Sequence, residues 1–125
     1  MKKQESGQSL IEVLAAIAVI VLVILALITA TTISVRNTTF SSKQSLATKY
    51  AQETIEEVRA SRDRDPDSFF AGSCPSVEAI EGFTRTVLCE PDPDVEDRVK
   101  VTVIVSWEDA KGIHQSDLKT YLTRW

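Results

Sequence analysis

The sequence predicts an α+β protein in which a long N-terminal helix packs on a small antiparallel β-sheet. Three observations predict this fold class. An uncharged apolar run opens the chain, a helical apolar stripe continues it without a proline or glycine, and alternating apolar and polar residues fill the last third. The 125 residues leave room for one small domain after the apolar run.

The apolar run between Glu12 and Arg36 is the first element. Its residues 13–35 contain no charge, and about 23 residues at about 1.5 Å rise can cross a hydrocarbon core about 30 Å thick. Lys2 and Lys3 precede the run. Because basic residues tend to stay on the cytoplasmic side, we expect a cytoplasmic N-terminus and a C-terminal part translocated across the cytoplasmic membrane.

Two ordinary interpretations explain this run less well. A secretory signal peptide has a shorter apolar core of about 7–15 residues and a small-x-small cleavage site, whereas Ile28, Thr29 and Ala30 put a bulky residue into that site. A plain single-pass anchor agrees with the length but gives no reason for Glu12. An ionised carboxylate at full depth costs roughly 2.5–3.5 kcal/mol, so it needs a partner or a function.

A third interpretation rests on the residues that border the run. Two lysines and then Gly7 precede the stretch 8–14, which reads Gln-Ser-Leu-Ile-Glu-Val-Leu. This pattern resembles the class III leader of type IV pilins and pseudopilins. The resemblance implies that prepilin peptidase removes residues 1–7 by cutting between Gly7 and Gln8, and that the same enzyme methylates the new amino group of Gln8.

The resemblance also implies an assembly role for Glu12. In the family, the glutamate at this position pairs with the amino group of a neighbouring subunit, here that of Gln8, inside the membrane or the filament core. A buried carboxylate is costly alone and tolerable when paired. The implied partners are prepilin peptidase, other pilin or pseudopilin subunits, an inner-membrane assembly platform and membrane lipid.

Departures from the family pattern narrow the expected function. Gln8 stands where the family often has phenylalanine, and Val21 and Thr29 stand where major pilins often have helix breakers. We therefore expect a straight helix and a minor pilin or pseudopilin that enters or primes a pilus-like filament. A type II secretion pseudopilin is one alternative. A single-pass membrane protein with a small extracytoplasmic binding domain that does not polymerise is the alternative from another class.

Residues 36–62 are expected to continue the transmembrane helix of residues 8–35 as an amphipathic half. Its apolar stripe, at spacings of three, four and seven, should pack on the sheet and comprises Phe40, Leu46, Ala47, Tyr50, Ala51, Ile55 and Val58. Residues 50–59 resemble the equivalent helix of minor pilins of the PilV group and of the type II secretion I subunits.

Residues 63–125 are expected to form a loop followed by the sheet. The helix should end after Arg62, in the stretch 63–67, because the residue before Pro66 avoids the helical region, and residues 63–82 should be a connecting loop. Three strands are predicted, with a fourth left open, at 83–89, 99–107 and 114–123. Gly112 should supply a positive φ in the last turn.

The strand patterns also predict which residues face the helix. On the second strand, the alternating apolar residues that share one face are Val99, Val101, Val103, Val105 and Trp107. On the third strand, Leu118, Thr120 and Leu122 face together. These two rows are expected to cover the helical stripe and form one small core.

The two cysteines, Cys74 and Cys89, both follow the apolar run. If this part of the chain is exported, an even pair predicts a disulfide, which would close a loop of about 15 residues and pin the connecting loop to the first strand. Members of the resembling family more often close a loop nearer the C-terminus, so this prediction rests on export.

The sequence indicates no catalytic or cofactor site. The single histidine, His114, has no cysteine or second histidine at ligand spacing, and no glycine-rich phosphate loop occurs. The net charge is −4 and no basic stripe occurs, so direct nucleic-acid binding is not expected. The chain is predicted to be non-enzymatic and to need no cofactor.

Two acidic runs have alternating carboxylates, a spacing at which oxygen ligands can bind Ca²⁺. They are Asp63, Asp65 and Asp67, and Asp92, Asp94 and Glu96. Neither run has the loop glycine and twelfth-position glutamate of an EF-hand, and the neighbouring prolines indicate solvated turns. No metal site is expected, and calcium at the second run is the weaker alternative.

Overall fold

The structure is a computed structural model that describes residues 5–124. Its elements in chain order are helix α1 (Glu5–Arg64), helix α2 (Pro66–Phe70) and strands β1 (Thr84–Pro91), β2 (Arg98–Asp109) and β3 (Gly112–Thr123). The predicted α+β class is confirmed: a long N-terminal helix packs on a three-stranded antiparallel sheet, consistent with a pilin fold. The chain divides into two compact units between Phe40 and Ser41.

The first unit consists of α1 alone in the described part of the chain. The helix continues through the whole predicted transmembrane part, since no proline or glycine follows Gly7 to remove a hydrogen bond or favour another conformation. Lys2 and Lys3, on which the predicted orientation depends, lie outside the described residues, as do Met1 and Gln4 of the predicted leader.

The second unit begins at Ser41 and packs the remainder of α1 on the sheet. The buried positions of this helix are Ala47, Ala51, Thr54, Ile55 and Val58. Tyr50 is partly buried against the same core. The prediction was wrong for Phe40 and Leu46, which are 41% and 39% exposed. Phe40 is the last residue of the first unit, and Leu46 lies outside the narrow helix face that the three-stranded sheet covers.

The connection between α1 and β1 is more ordered than the sequence predicts. α1 continues to Arg64, and α2 begins two residues later, at Pro66. Asp65 caps α2 by accepting the N–H of Ser68 at 3.2 Å, and Pro66 fits the first turn because no N–H donor is needed there. The predicted loop over 63–82 was therefore wrong in its first part, since the residues that stop one helix start another.

The sheet has the order β1-β2-β3, and β2 is antiparallel to both neighbours. The predicted inward row of β2 is confirmed, because Val99, Val101, Val103, Val105 and Trp107 are all buried. Leu122 of β3 and Phe69 of α2 complete the buried core, and Leu118 packs against it. β2 extends beyond its predicted bounds at both ends, β3 begins two residues earlier than predicted, and β1 begins one residue later and ends two residues later than predicted.

The turn between β2 and β3 brings Asp109 opposite Gly112. Gly112 has the predicted positive φ, at 124°. The Asp109 carboxylate accepts the N–H of Lys111 at 2.7 Å, and its Oδ1 lies 2.9 Å from Nε2 of His114. The Lys111 N–H, followed by His114 and the charge of Lys43, lowers the pKa of Asp109. His114 therefore lies on β3 with its side chain against the turn, and it is half-buried.

Residues 73–82, here called the strap, run beside β1. The Cys74–Cys89 disulfide joins the two, with a Cα–Cα distance of 5.6 Å. Nε of Arg85 also donates to the carbonyl oxygen of Glu78 at 2.7 Å. The strap is therefore held to β1 by one covalent bond and by one hydrogen bond from a side chain of that strand.

A fourth strand, which the sequence left open, does not occur between residues 5 and 124. The nearest feature is an isolated bridge between Ile80, near the end of the strap, and Phe83, just before β1. The N–H of Phe83 donates to the carbonyl of Ile80 at 2.8 Å, which closes a tight turn around the positive φ of Gly82.

Candidate processing and assembly site

Gly7 lies near the start of α1, at the predicted cleavage point. It is exposed, and a Cβ added there would meet no atom within 4 Å. Glycine in a helix interior is about 1 kcal/mol less favourable than alanine, and this position needs no positive φ. Folding therefore gives no reason for a glycine here, whereas the predicted cleavage after Gly7 would give one.

Glu12 lies on α1 beyond Gln8, and both residues are exposed. Glu12 forms no ion pair with any residue in the described part of the chain. Apolar residues surround it on the helix, since Leu10 is 62% exposed, Ile11 70% and Val13 52%. The Glu12 carboxylate in this surface can therefore pair with a cationic group of another molecule.

The apolar surface of α1 continues from Leu10 to Val35. Its large hydrophobic side chains are 49–70% exposed, far more than a soluble monomer leaves uncovered in one patch. By length and composition α1 is the one helix in the described part of the chain that can cross a membrane. Lipid, or the equivalent helices of other subunits, would cover this surface.

Threonines near the end of the apolar surface bond within the helix. Thr29 donates its hydroxyl to the carbonyl oxygen of Leu25 at 2.9 Å, and Thr32 donates to that of Ile28 at 2.9 Å. Thr31 donates its hydroxyl to the carbonyl oxygens of Leu27 and Ile28. Because each hydroxyl already has an acceptor, these residues can lie in an apolar environment without a polar partner from elsewhere.

The comparison with protein families adds the deciding observation. Residues 2–31 match the family model described as the prokaryotic N-terminal methylation motif. The chain carries a prepilin-type N-terminus. This motif indicates a type IV pilin-like precursor, implies processing by prepilin peptidase and assembly with other pilins, and belongs to a structural rather than an enzymatic family.

The match ends within the apolar surface of α1, so it says nothing about the second unit. The comparisons found no similar curated protein and no similar solved structure. The roles of Gly7, Gln8 and Glu12 accordingly stay predictions, although the motif and the exposed helix agree with them.

The acidic runs do not converge into a metal site. The described residues contain no group of three histidine, cysteine, aspartate or glutamate side chains placed to hold an ion. In the second run, Asp92 accepts the N–H of Asp94 at 2.9 Å and pairs with Arg98 at 2.6 Å. The N–H of Asp94 and then Arg98 lower the pKa of Asp92. Asp92 therefore stabilises the turn of the second run through its bonds to Asp94 and Arg98.

The carboxylates of the first run serve three different purposes. Asp63 pairs with Arg62 at 2.8 Å, Asp65 caps α2, and Asp67 pairs with Arg124. The guanidinium of Arg124 also lies 5.3 Å from the centre of the Phe70 ring. Only the Arg124 contacts join α2 to the residue that follows β3, whereas Asp63 bonds within α1 and Asp65 bonds at the start of α2, so the three carboxylates share no centre.

Sequence reasoning missed a groove between α1 and β3. Its volume is about 240 Å³, and it is lined by Gln52, Ile55, Glu56, Arg59, Leu118 and Thr120, with Lys119 at its edge. The spacing of Gln52, Glu56 and Arg59 indicates an exposed face of α1. The position of β3 beside this face follows from the way the sheet packs on the helix, which the spacing does not determine.

Proposed function

We propose that this chain is a minor type IV pilin or pseudopilin, a structural subunit that prepilin peptidase processes and that joins or primes a pilus-like filament. The observation that carries the proposal is the methylation motif at the start of an exposed apolar helix. The mature subunit would begin at Gln8. It would wait in the cytoplasmic membrane, with its N-terminus in the cytoplasm and its second unit outside.

Assembly would exchange lipid for neighbouring helices around the exposed apolar surface. The favourable free energy of assembly would then come from the packing of helices, because lipid and leucine side chains are about equally apolar. Glu12 would distinguish the two environments, since its carboxylate lacks a described partner within the chain and would meet the Gln8 amino group of a neighbour in the filament. The pairing would also fix the axial register of adjacent subunits.

Mass spectrometry of the mature N-terminus tests the proposal. We expect an N-terminus at methylated Gln8 in cells with prepilin peptidase, and an intact leader in cells without it. Replacing Gly7 with leucine should block cleavage. Because a Cβ at this position meets nothing, any loss of processing reports recognition by the peptidase and not a change in folding.

Two results would overturn the proposal. One is an intact Met1 in cells that contain the peptidase, and the other is a cut near Ala30, which would make the run a signal peptide. A chain that keeps its leader and stays in the membrane would instead be the single-pass protein with an extracytoplasmic binding domain.

A further inference from the structure

The strap of the second unit has a glycine with positive φ at each end. Gly72, just before the strap, has φ 105°, and Gly82, its last residue, has φ 79°. A Cβ at either position would meet no atom within 4 Å, so the backbone conformation and not the packing requires glycine there. The strap therefore joins α2 to β1 through two positions at which the backbone can change direction at low steric cost.

The strap adds no buried residue to the core. Among the described residues, the buried ones lie on α1, α2, β2 and β3. Within the strap, the side chains of Pro75, Val77 and Ile80 are half-buried and the other residues are exposed. A segment with so few buried apolar contacts can open locally while the core stays folded.

Few bonds hold the strap in place. Between described residues, main-chain hydrogen bonds involve the strap only near its two ends. Two attachments join it to β1, the Cys74–Cys89 disulfide and the bond from Nε of Arg85 to the Glu78 carbonyl oxygen at 2.7 Å. Cys89 packs against the core, and Arg85 also bonds to α1, so both side chains lie on the core side of β1. The strap therefore covers this side of the strand.

We propose that the Cys74–Cys89 disulfide is a redox latch, which a dithiol reductant of the thioredoxin-like class opens so that the strap swings free while the core stays folded. After reduction, the single bond to Glu78 would oppose the conformational entropy that the whole strap regains. An open strap would uncover the Arg85 side chain, which is 7% exposed when the strap is closed. The latch goes beyond the proposed function and does not depend on it, because all its residues belong to the second unit.

The latch has one accessible sulfur, because Cys74 is exposed and Cys89 is half-buried. A thiolate of the dithiol would attack Sγ of Cys74 and form a mixed disulfide, and Cys89 would leave as a thiolate and bind a proton. The second thiolate of the reductant would then attack its own sulfur in the mixed disulfide, and Cys74 would leave and bind the second proton. The dithiol thereby loses two electrons and two protons and becomes a disulfide, and the two cysteines gain them.

Limited proteolysis of the full chain in detergent micelles tests the latch. A glutamate-specific protease cuts the peptide bond of the Glu78 carbonyl, the group that accepts from Arg85, so a cut there reports an open strap. Dithiothreitol serves as the dithiol. We expect it to raise the rate of this cut by about ten-fold, because proteolysis follows the population of the open form. Mass spectrometry of the peptides measures the rate.

Glutamates outside the strap are the matched controls in the same digest. Glu96, exposed between β1 and β2, should be cut at the same rate with and without dithiothreitol. Glu57 of α1 and Glu108 of β2 should stay resistant, and the near-ultraviolet circular dichroism of the buried Trp107 should not change. Cuts at Glu57 and Glu108 that rise together with the cut at Glu78 would overturn the proposal, because they show that the whole second unit unfolds.

Two further measurements complete the test. The double variant Cys74→Ala and Cys89→Ala should be cut rapidly at Glu78 with or without dithiothreitol. An equal rate at Glu78 in the oxidised wild type, the reduced wild type and this variant would contradict the latch. A thioredoxin-like protein whose second thiol is replaced by serine should be trapped as a mixed disulfide on Cys74. Trapping on Cys89 alone, or no trapping, would overturn the proposed route of reduction.

Discussion

The guanidinium of Arg85 donates a hydrogen bond to the hydroxyl of Thr54 across the junction of β1 and α1, with 3.1 Å between Nη1 and Oγ1. Thr54 in turn donates to the carbonyl of Tyr50 at 2.7 Å, and Nη1 of Arg85 also lies 3.2 Å from Glu57. The Arg85 side chain is only 7% exposed. This arginine of β1 therefore binds α1 through Thr54 and Glu57 and the strap through Glu78.

Arg85→Met should lower the free energy of unfolding by about 2 kcal/mol, because the variant leaves the Thr54 hydroxyl and the Glu78 carbonyl without this donor. Thr54→Val should cost about 1 kcal/mol, since one N–H of a nearly buried guanidinium loses its acceptor. Urea unfolding followed by circular dichroism measures both. The control Arg59→Met removes only an exposed pair with Glu56 and should change stability by less than about 0.5 kcal/mol. Equal effects of Arg85→Met and Arg59→Met would contradict the assigned role.

The disulfide should stabilise the second unit by about 3 kcal/mol, the value that the chain-entropy model gives for a closed loop of about 15 residues. Replacing both Cys74 and Cys89 with alanine should lower the urea midpoint accordingly, and reductant should then have no further effect. Titration of the denatured, unreduced wild-type chain should find no free thiol. Two titratable thiols before reduction would show that the bridge does not form in cells.

Asp92 should make stability depend on pH at the acidic end. Its pKa is lowered from the usual 3.8, chiefly by the Asp94 N–H and then by Arg98. A carboxyl with a lowered folded-state pKa contributes stability that is present above its unfolded pKa and is lost as the pH falls through the folded one.

The Asp92→Asn variant should therefore unfold at lower urea than the wild type near pH 6, and the difference should shrink as the pH is lowered below about 4. Urea midpoints measured from pH 6 downwards follow this effect. The matched control is Glu96→Gln in the same turn, since Glu96 forms no ion pair with a described residue. A difference for Asp92→Asn that does not shrink at all as the pH falls would rule out an ionic origin.

Glu12→Ala should leave cleavage between Gly7 and Gln8 intact and should lower incorporation into filaments by about ten-fold or more, because the neighbour's amino group would lose its partner. Quantifying the processed subunit in the membrane and in sheared filaments separates the two steps. Glu53→Ala, which removes an exposed carboxylate 3.7 Å from Lys49 in the second unit, should affect neither step. Wild-type incorporation of the Glu12→Ala subunit would exclude an assembly role for this residue.

Local patterns allowed much of the fold to be predicted. The alternation along β2 placed Val99 to Trp107 on one face, and the spacing of Ala47, Ala51 and Val58 identified the packed side of the helix. The same reasoning included Phe40 and Leu46 and omitted Thr54. Periodicity identifies which side of a helix is apolar, but it does not determine how much of that side a three-stranded sheet covers.

The sequence by itself determined the properties that depend on neighbours along the chain. These are the uncharged span after Glu12, the motif around Gly7, the stop at Asp65 and Pro66, and the row of β2 residues that must face one way. Each follows from local chemistry or from the repeat of a helix or strand.

Only the tertiary structure decided which distant residues meet. It brought Arg85 to Thr54, placed the strap beside β1, and left a groove between Leu118 and Ile55. These contacts depend on the order of strands in the sheet and on the position of α1 across them. Residues far apart in the chain come together there through packing, and no spacing in the sequence records that outcome.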